Sequence, residues 1–303
     1  MQQLRIWLFL FTLLSTVLSV ESQTRFVDPI FDSISVKTYT YSLIAGKSLK
    51  LDIYTPLNDN MEKRPLFMLI HGGGFKYGKR NDKGLVNLAR NITKKGYLVV
   101  SVDYTKLPKN KSFGCNMSKD FILQTIRNAT HDVTKALLFL VKYKNIFGID
   151  DSKIILTGSS AGAEIGLNLT YNKNQILSPY YVSDIPEIAA VVSISGAILD
   201  AQFITNTNAK PGVFYHGTKD PIIPYGDGVH HNCKKNQKGY LTESGSKAIT
   251  DALKKQNSSY LLYSYVDRGH DIFNLPYEDL HQAFVFLRKV LFDKGFHQGV
   301  RFR

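Results

Sequence analysis

Lys153-Ile154-Ile155-Leu156-Thr157 runs directly into Gly158-Ser159-Ser160-Ala161-Gly162, and Ala163 to Leu169 then reads as the start of a helix. A short apolar run rich in β-branched residues predicts a strand, so the order is strand, tight turn with a central serine, helix. This is the context in which G-x-S-x-G carries a nucleophilic serine on a strained turn. The flanking glycines have a steric reason, because a side chain at either position would collide with the neighbouring strand or helix. The pentapeptide alone is weak, and a Ser/Gly-rich connection without chemistry would look the same. A serine hydroxyl needs a base, a group that orients the base, and donors for a developing oxyanion. The pattern gains meaning only if the rest of the chain supplies them.

The apolar runs place these elements in a recognisable order. Residues 34–39 and 49–54 alternate as two strands, with Gly46-Lys47 between them. Leu66 to Ile70, Tyr97 to Tyr104, Ala189 to Gly196, Val213 to Gly217 and Tyr260 to Val266 are strands too, and with the serine strand they make about eight. Helical spacing appears near residues 85–92, over 118–145, after Gly162, and over 241–256 and 276–294. Continuous apolar strands alternating with amphipathic helices predict an α/β fold with a mostly parallel sheet covered on both faces. A prior of about 150 residues per domain suggests two domains. No linker or repeat divides residues 23–303, so one domain is expected.

Two strand ends carry the groups that the serine needs. Asp220 follows Val213 to Gly217, and His270 stands in Asp267-Arg268-Gly269-His270-Asp271 just past the last strand. Asp200 competes for the acid role, since it follows the preceding strand. His216 ends a strand but precedes Asp220 by too little to be the base. His230 and His231 are adjacent, yet no ligand set at metal spacing accompanies them apart from Asp227 and Cys233, so no metal is expected. The remaining donor is His71-Gly72-Gly73-Gly74-Phe75 at the end of a buried strand. Consecutive glycines there let backbone N–H groups approach a substrate carbonyl, and His71 braces the loop.

Together, His71 to Gly74, Gly158 to Gly162, Asp220 and His270 make the chain resemble the α/β-hydrolases. It is similar to the carboxylesterases and hormone-sensitive-lipase-like esterases with a His-Gly-Gly-Gly motif, and to compact exported feruloyl-esterase-like members. The resemblance implies Ser160 as nucleophile, His270 as general base and acid, Asp220 as orienting carboxylate, and an oxyanion hole from the N–H groups of Gly73, Gly74 and Ala161. It implies carboxylic ester hydrolysis through an acyl-enzyme without a cofactor, on a small-molecule or saccharide-linked ester. Little or no cap is expected, because residues 23–56 read as strands and the connection before Val213 is short. Phe75, Tyr77, Tyr104 and residues 176–186 would then line the pocket. A prolyl-oligopeptidase-like peptidase, with Glu164 or Glu187 holding an amine, and a non-catalytic binding protein on the same scaffold are the alternatives.

Residues 1–22 set the expected location. Arg5 precedes an apolar run to Val20, and small residues follow, which predicts a signal peptide and a secreted or periplasmic protein; a membrane anchor is the alternative reading. Cys115 and Cys233 suit one disulfide in an oxidising compartment. The net charge of +13 comes from scattered lysines without a basic block or nucleic-acid motif, so nucleic acid is not an expected partner.

Overall fold

A computed structural model describes residues 24–44, 46–108, 110–111 and 113–303. The expected signal peptide at 1–22 lies outside them. Among the described residues, no helix is long and apolar enough to cross a membrane.

The chain begins with β1 (Ile34–Ile44) and β2 (Lys47–Pro56), joined through Gly46 at φ +76°. There follow β3 (Arg64–Ile70), α1 (Lys83–Thr93), β4 (Leu98–Val102), α2 (Lys119–Lys142), the single turn α3 (Lys144–Phe147) and β5 (Ile149–Ser159). Next come α4 (Ala161–Tyr171), the short α5 (Lys173–Ile176) and α6 (Pro179–Val182), β6 (Ile188–Ile194) and β7 (Ala197–Ile198). The last third holds β8 (Gly212–Gly217), β9 (Asp227–Val229), β10 (Thr242–Gly245), α7 (Ser246–Lys255), β11 (Tyr260–Tyr265), α8 (Tyr277–Leu291) and β12 (Gln298–Phe302).

Nine strands form one sheet in the order β1-β2-β4-β3-β5-β6-β8-β11-β12. Every adjacent pair from β4 onward is parallel, and only the β1–β2 and β2–β4 pairs are antiparallel. The fully buried strands alternate their side chains between two cores. Leu66, Met68 and Ile70 of β3 join α2 and α4 on one face, while Phe67 and Leu69 meet α1 and α8 on the other.

Four strands, β7, β9, β10 and β12, go beyond the sequence expectation. β12 adds a ninth strand to the main sheet, pairing in parallel with β11, although Gln298, Arg301 and two exposed apolar residues, Val300 and Phe302, give it no buried pattern. β10 occupies the first residues of the expected helix 241–256 and pairs with β7 and β9 in a small second sheet. Helical spacing of apolar residues begins only at Ser246, where α7 starts.

Candidate active site

Parallel strands bring their carboxyl ends to one edge of the sheet. The register pairs Ile70 with Gly158 and Gly217 with Tyr265. The segments that follow these residues therefore share that edge, and they contain the glycine loop, Ser160, Asp220 and His270.

Ser160 is the turn between β5 and α4, with φ 50° and ψ −126°. A non-glycine residue rarely adopts such angles, and its surroundings must hold it there. The packing around it explains the glycines. A Cβ on Gly158 would lie 2.3 Å from the Gly162 carbonyl carbon, and one on Gly162 would lie 2.2 Å from the Ile70 oxygen. Ser160 N–H donates to the Ile194 oxygen at 2.9 Å, fixing the turn against β6.

His270 Nε2 is 2.8 Å from Ser160 Oγ, and His270 Nδ1 is 2.7 Å from Asp220 Oδ2. With Nδ1–H donating to the carboxylate, Nε2 is left to accept the serine proton. Asp220 Oδ1 accepts from the Ile222 and Ile223 N–H groups at 2.9 and 3.0 Å. The competitor Asp200 instead caps a 3-10 turn, accepting from the Gln202 N–H at 2.8 Å.

Burial alone would raise the Asp220 carboxyl, but hydrogen bonding to His216 and His270 and the backbone donor hold it well below the usual carboxylate range. Its stabilising contribution is then complete above about pH 4 and is lost as pH falls through its own lower value. The thermal stability of the chain is expected to fall as the pH drops below about 4, and Asp220→Asn is expected to flatten that decline. An equal decline in the variant would assign it to other carboxylates.

The glycine loop forms the opposite wall. Gly73, Gly74 and Phe75 have φ values of 108°, 56° and 56°. His71 is buried, its Nδ1 lies 2.9 Å from the Gly72 oxygen, and its ring stacks on Tyr104 at 4.2 Å. Burial pushes its imidazole down, so it suits a neutral brace. Ala161 is the first residue of α4, where the backbone N–H has no intrahelical partner. A cleft of ≈ 460 Å³ is lined by the three glycines, Ser160, Ile222, His270 and Phe273.

Residues 51–200 match a family model described as BD-FAE. The thermophilic esterase Est2 of Thermogutta terrifontis superposes with a TM-score of 0.64 at 17% identity, covering 84% of this chain and 92% of that one. The chain has the α/β-hydrolase fold of that esterase. Its sequence relatives include esterase cest-33 of Caenorhabditis elegans, 30% identical over 117 residues, or 38% of this chain and 20% of that protein. The non-reducing polyketide synthase Preu6 of Preussia isomera is 24% identical over 147 residues, 46% of this chain. This chain spans only 6% of the length of that synthase.

Several expected pocket residues are elsewhere in this chain. Phe75 and Tyr104 are buried beneath the glycine loop, where the Tyr104 hydroxyl donates to the His71 oxygen at 3.0 Å. The positive φ at Gly74 and Phe75 turns the aromatic ring inward. Tyr77 is 66% exposed and off the cleft wall. Ile185 and Pro186 line a separate hollow with Tyr171 and Lys210. The apolar surface next to Ser159 comes instead from Leu85, Leu88, Phe273, Leu275 and Leu280, around a hollow of ≈ 390 Å³.

Cys115 and Cys233 are disulfide-bonded. That bond removes Cys233 as a partner for His230, and Asp227 accepts from Ser244 Oγ. His230 faces Glu164 and Glu243 instead, and the three side chains are buried. Burial raises the Glu243 carboxyl against the pull of His230. Burial alone would lower the His230 imidazole, but the charges of Glu243 and Glu164 push it up. Sequence spacing gives no signal for this cluster. His216, which the sequence sets aside as the base, supports the acid instead. Its Nε2 is 3.5 Å from Asp220 Oδ2, on the far side of the carboxylate from the cleft.

Proposed function

We propose that this chain is an exported serine carboxylesterase that cleaves small or saccharide-linked esters through an acyl-enzyme. The observation that carries the reading is the unbroken chain from Ser160 Oγ through His270 to Asp220 at 2.8 and 2.7 Å. His270 Nε2 takes the serine proton as Oγ attacks the ester carbonyl. The oxyanion meets the N–H groups of Ala161, Gly73 and Gly74, each such donor contributing about 3 kcal/mol to the transition state. His270 then gives the proton to the departing alcohol, and the acyl group stays on Ser160. Water attacks next, with His270 again as base, and the acid leaves.

The disulfide supports an oxidising location. The esterase names of the relatives favour ester over amide. So does the position of the acids that a peptidase would use for a peptide amine. Glu164 is buried against His230, and Glu187 pairs with Lys210 away from the cleft. A fluorophosphonate probe is expected to label the purified chain once, on the peptide containing Ser160. Matched aryl esters and anilides of acetate, butyrate and ferulate are expected to show turnover of the esters. No label on Ser160, or faster turnover of the anilides, would overturn the proposal.

A further inference from the structure

We propose that Glu164, His230 and Glu243 form a buried site for one divalent transition-metal cation of the Zn²⁺ class. Their ligating atoms all lie within 4.8 Å of one another. Glu164 Oε1, His230 Nε2 and both Glu243 carboxylate oxygens are buried without a hydrogen-bond partner. These residues are 1%, 2% and 2% exposed. Polar atoms buried this deeply are almost always paired.

The separations point to an ion between them. His230 Nε2 is 3.4 Å from Glu164 Oε1 and 3.9 Å from Glu243 Oε2. Charge-assisted hydrogen bonds are shorter, at about 2.7–2.9 Å. Two ligands each about 2.1 Å from a tetrahedral ion stand roughly 3.4 Å apart. One imidazole and two carboxylates form a mixed nitrogen and oxygen set. That set suits Zn²⁺, Co²⁺ or Mn²⁺ better than Ca²⁺ or Mg²⁺, which take six or more oxygens.

The outer contacts orient the set. His230 Nδ1 lies 2.6 Å from His231 Nδ1. Nδ1–H can donate there and leave Nε2 as the lone-pair nitrogen that faces the carboxylates, since the bond made by one ring nitrogen sets the role of the other. Phe113 packs edge-on against His230 at 5.3 Å. A divalent cation would neutralise two buried carboxylates, which are otherwise costly to bury as charges. An adjoining hollow is also acidic. The cavity of ≈ 870 Å³ that Glu243 lines carries Asp200, Asp227 and Asp251 against the one cation Lys255. The chain as a whole bears a net charge of +13, so this acidic pocket runs against the overall balance.

The site would join α4, one turn past Ser160, to β10 and to the segment that leads away from Asp220. It depends on none of the reacting atoms, and its test reads metal rather than turnover. The full chain would be stripped with a chelator and dialysed against Zn²⁺ or Co²⁺, and bound metal measured by plasma emission. One ion per chain is expected, and also in a His270→Asn background, which removes the catalytic imidazole as an alternative ligand. A saturating excess of ion is expected to raise Tm by about 5 °C. Glu243→Gln and His230→Asn are expected to weaken binding at least tenfold, about the effect seen even for supporting residues. If those variants fail to fold, the Co²⁺ form of the unaltered chain decides by its visible absorption. Strong tetrahedral-type bands support the site, and the weak spectrum of aqueous Co²⁺ overturns it. Metal content that is substoichiometric, or equal in the unaltered chain and the folded variants, would also overturn it and leave three side chains sharing protons.

Discussion

Ser160→Ala is expected to lower kcat for a short-chain aryl ester by about a million-fold, the scale seen when a triad nucleophile is removed. The physical basis is that, in the proposed mechanism, the oxygen 2.8 Å from His270 Nε2 forms the acyl bond. Removing it leaves the oxyanion donors and the cleft, which retain some 10³-fold acceleration over water. Asp220→Asn is expected to cost less, about 10⁴-fold, because it spoils the His270 tautomer and leaves the nucleophile in place. The elbow adds a second, opposite expectation. Ser160 is held at φ 50° and ψ −126°, and glycine adopts positive φ without steric penalty. Ser160→Gly should therefore be inactive yet more stable than Ser160→Ala by about 1 kcal/mol, the scale of such strain. Steady-state kinetics and chemical unfolding of the two variants would measure both effects. Retention of more than about 1% of turnover in Ser160→Ala would move the nucleophile elsewhere, with the adjacent Ser159 first in line. Equal stability of the two variants would mean that the elbow stores no strain.

What the sequence makes legible here follows strand ends. The buried strands are continuous apolar runs, so their carboxyl ends can be read to within a residue or two. Ser160, Asp220 and His270 each stand just beyond such an end, and parallel pairing alone brings them together. Side-chain direction inside a loop is a different matter. Phe75 and Tyr104 stand beside the glycine loop in sequence or at a neighbouring strand end, yet local φ values and a hydrogen bond to the His71 oxygen turn both inward. The Glu164, His230 and Glu243 cluster has no period at all. Its members sit on a helix, a 3-10 turn and a two-sided strand, and only packing brings them into contact. His230 looks in sequence like a partner of Cys233, which the disulfide to Cys115 removes from that role. β12 is hidden for a related reason. An edge strand of mixed polarity carries no burial pattern, and its place is fixed by pairing with β11.

The Cys115→Ser/Cys233→Ser pair is expected to lower global stability by roughly 5 kcal/mol while leaving kcat within about twofold. The bond closes a loop with a sequence separation of 118, and loop-closure entropy in the unfolded chain grows with the logarithm of that length. For a chain of this size, such a loss should lower Tm by about 10 °C or more. The folded state has independent reasons to keep its shape. Gly239 N–H donates to the Cys115 oxygen at 3.0 Å, and Lys119 N–H donates to the Lys238 oxygen at 2.9 Å. Phe113 packs on His230 and His231 from the Cys115 side, and the His231 N–H donates to the Ile222 oxygen at 2.7 Å. Those contacts hold the segment whose first residues, Ile222 and Ile223, donate to Asp220. The entropic effect on the unfolded chain should therefore outweigh any loosening of the acid, so the variant should unfold more easily and, while folded, work normally. Denaturant unfolding and ester hydrolysis at 25 °C on the same preparation separate the two. A parallel fall in kcat would show that the bridge orders Asp220 directly, and a Tm change below about 3 °C would show that the unfolded chain is already restrained.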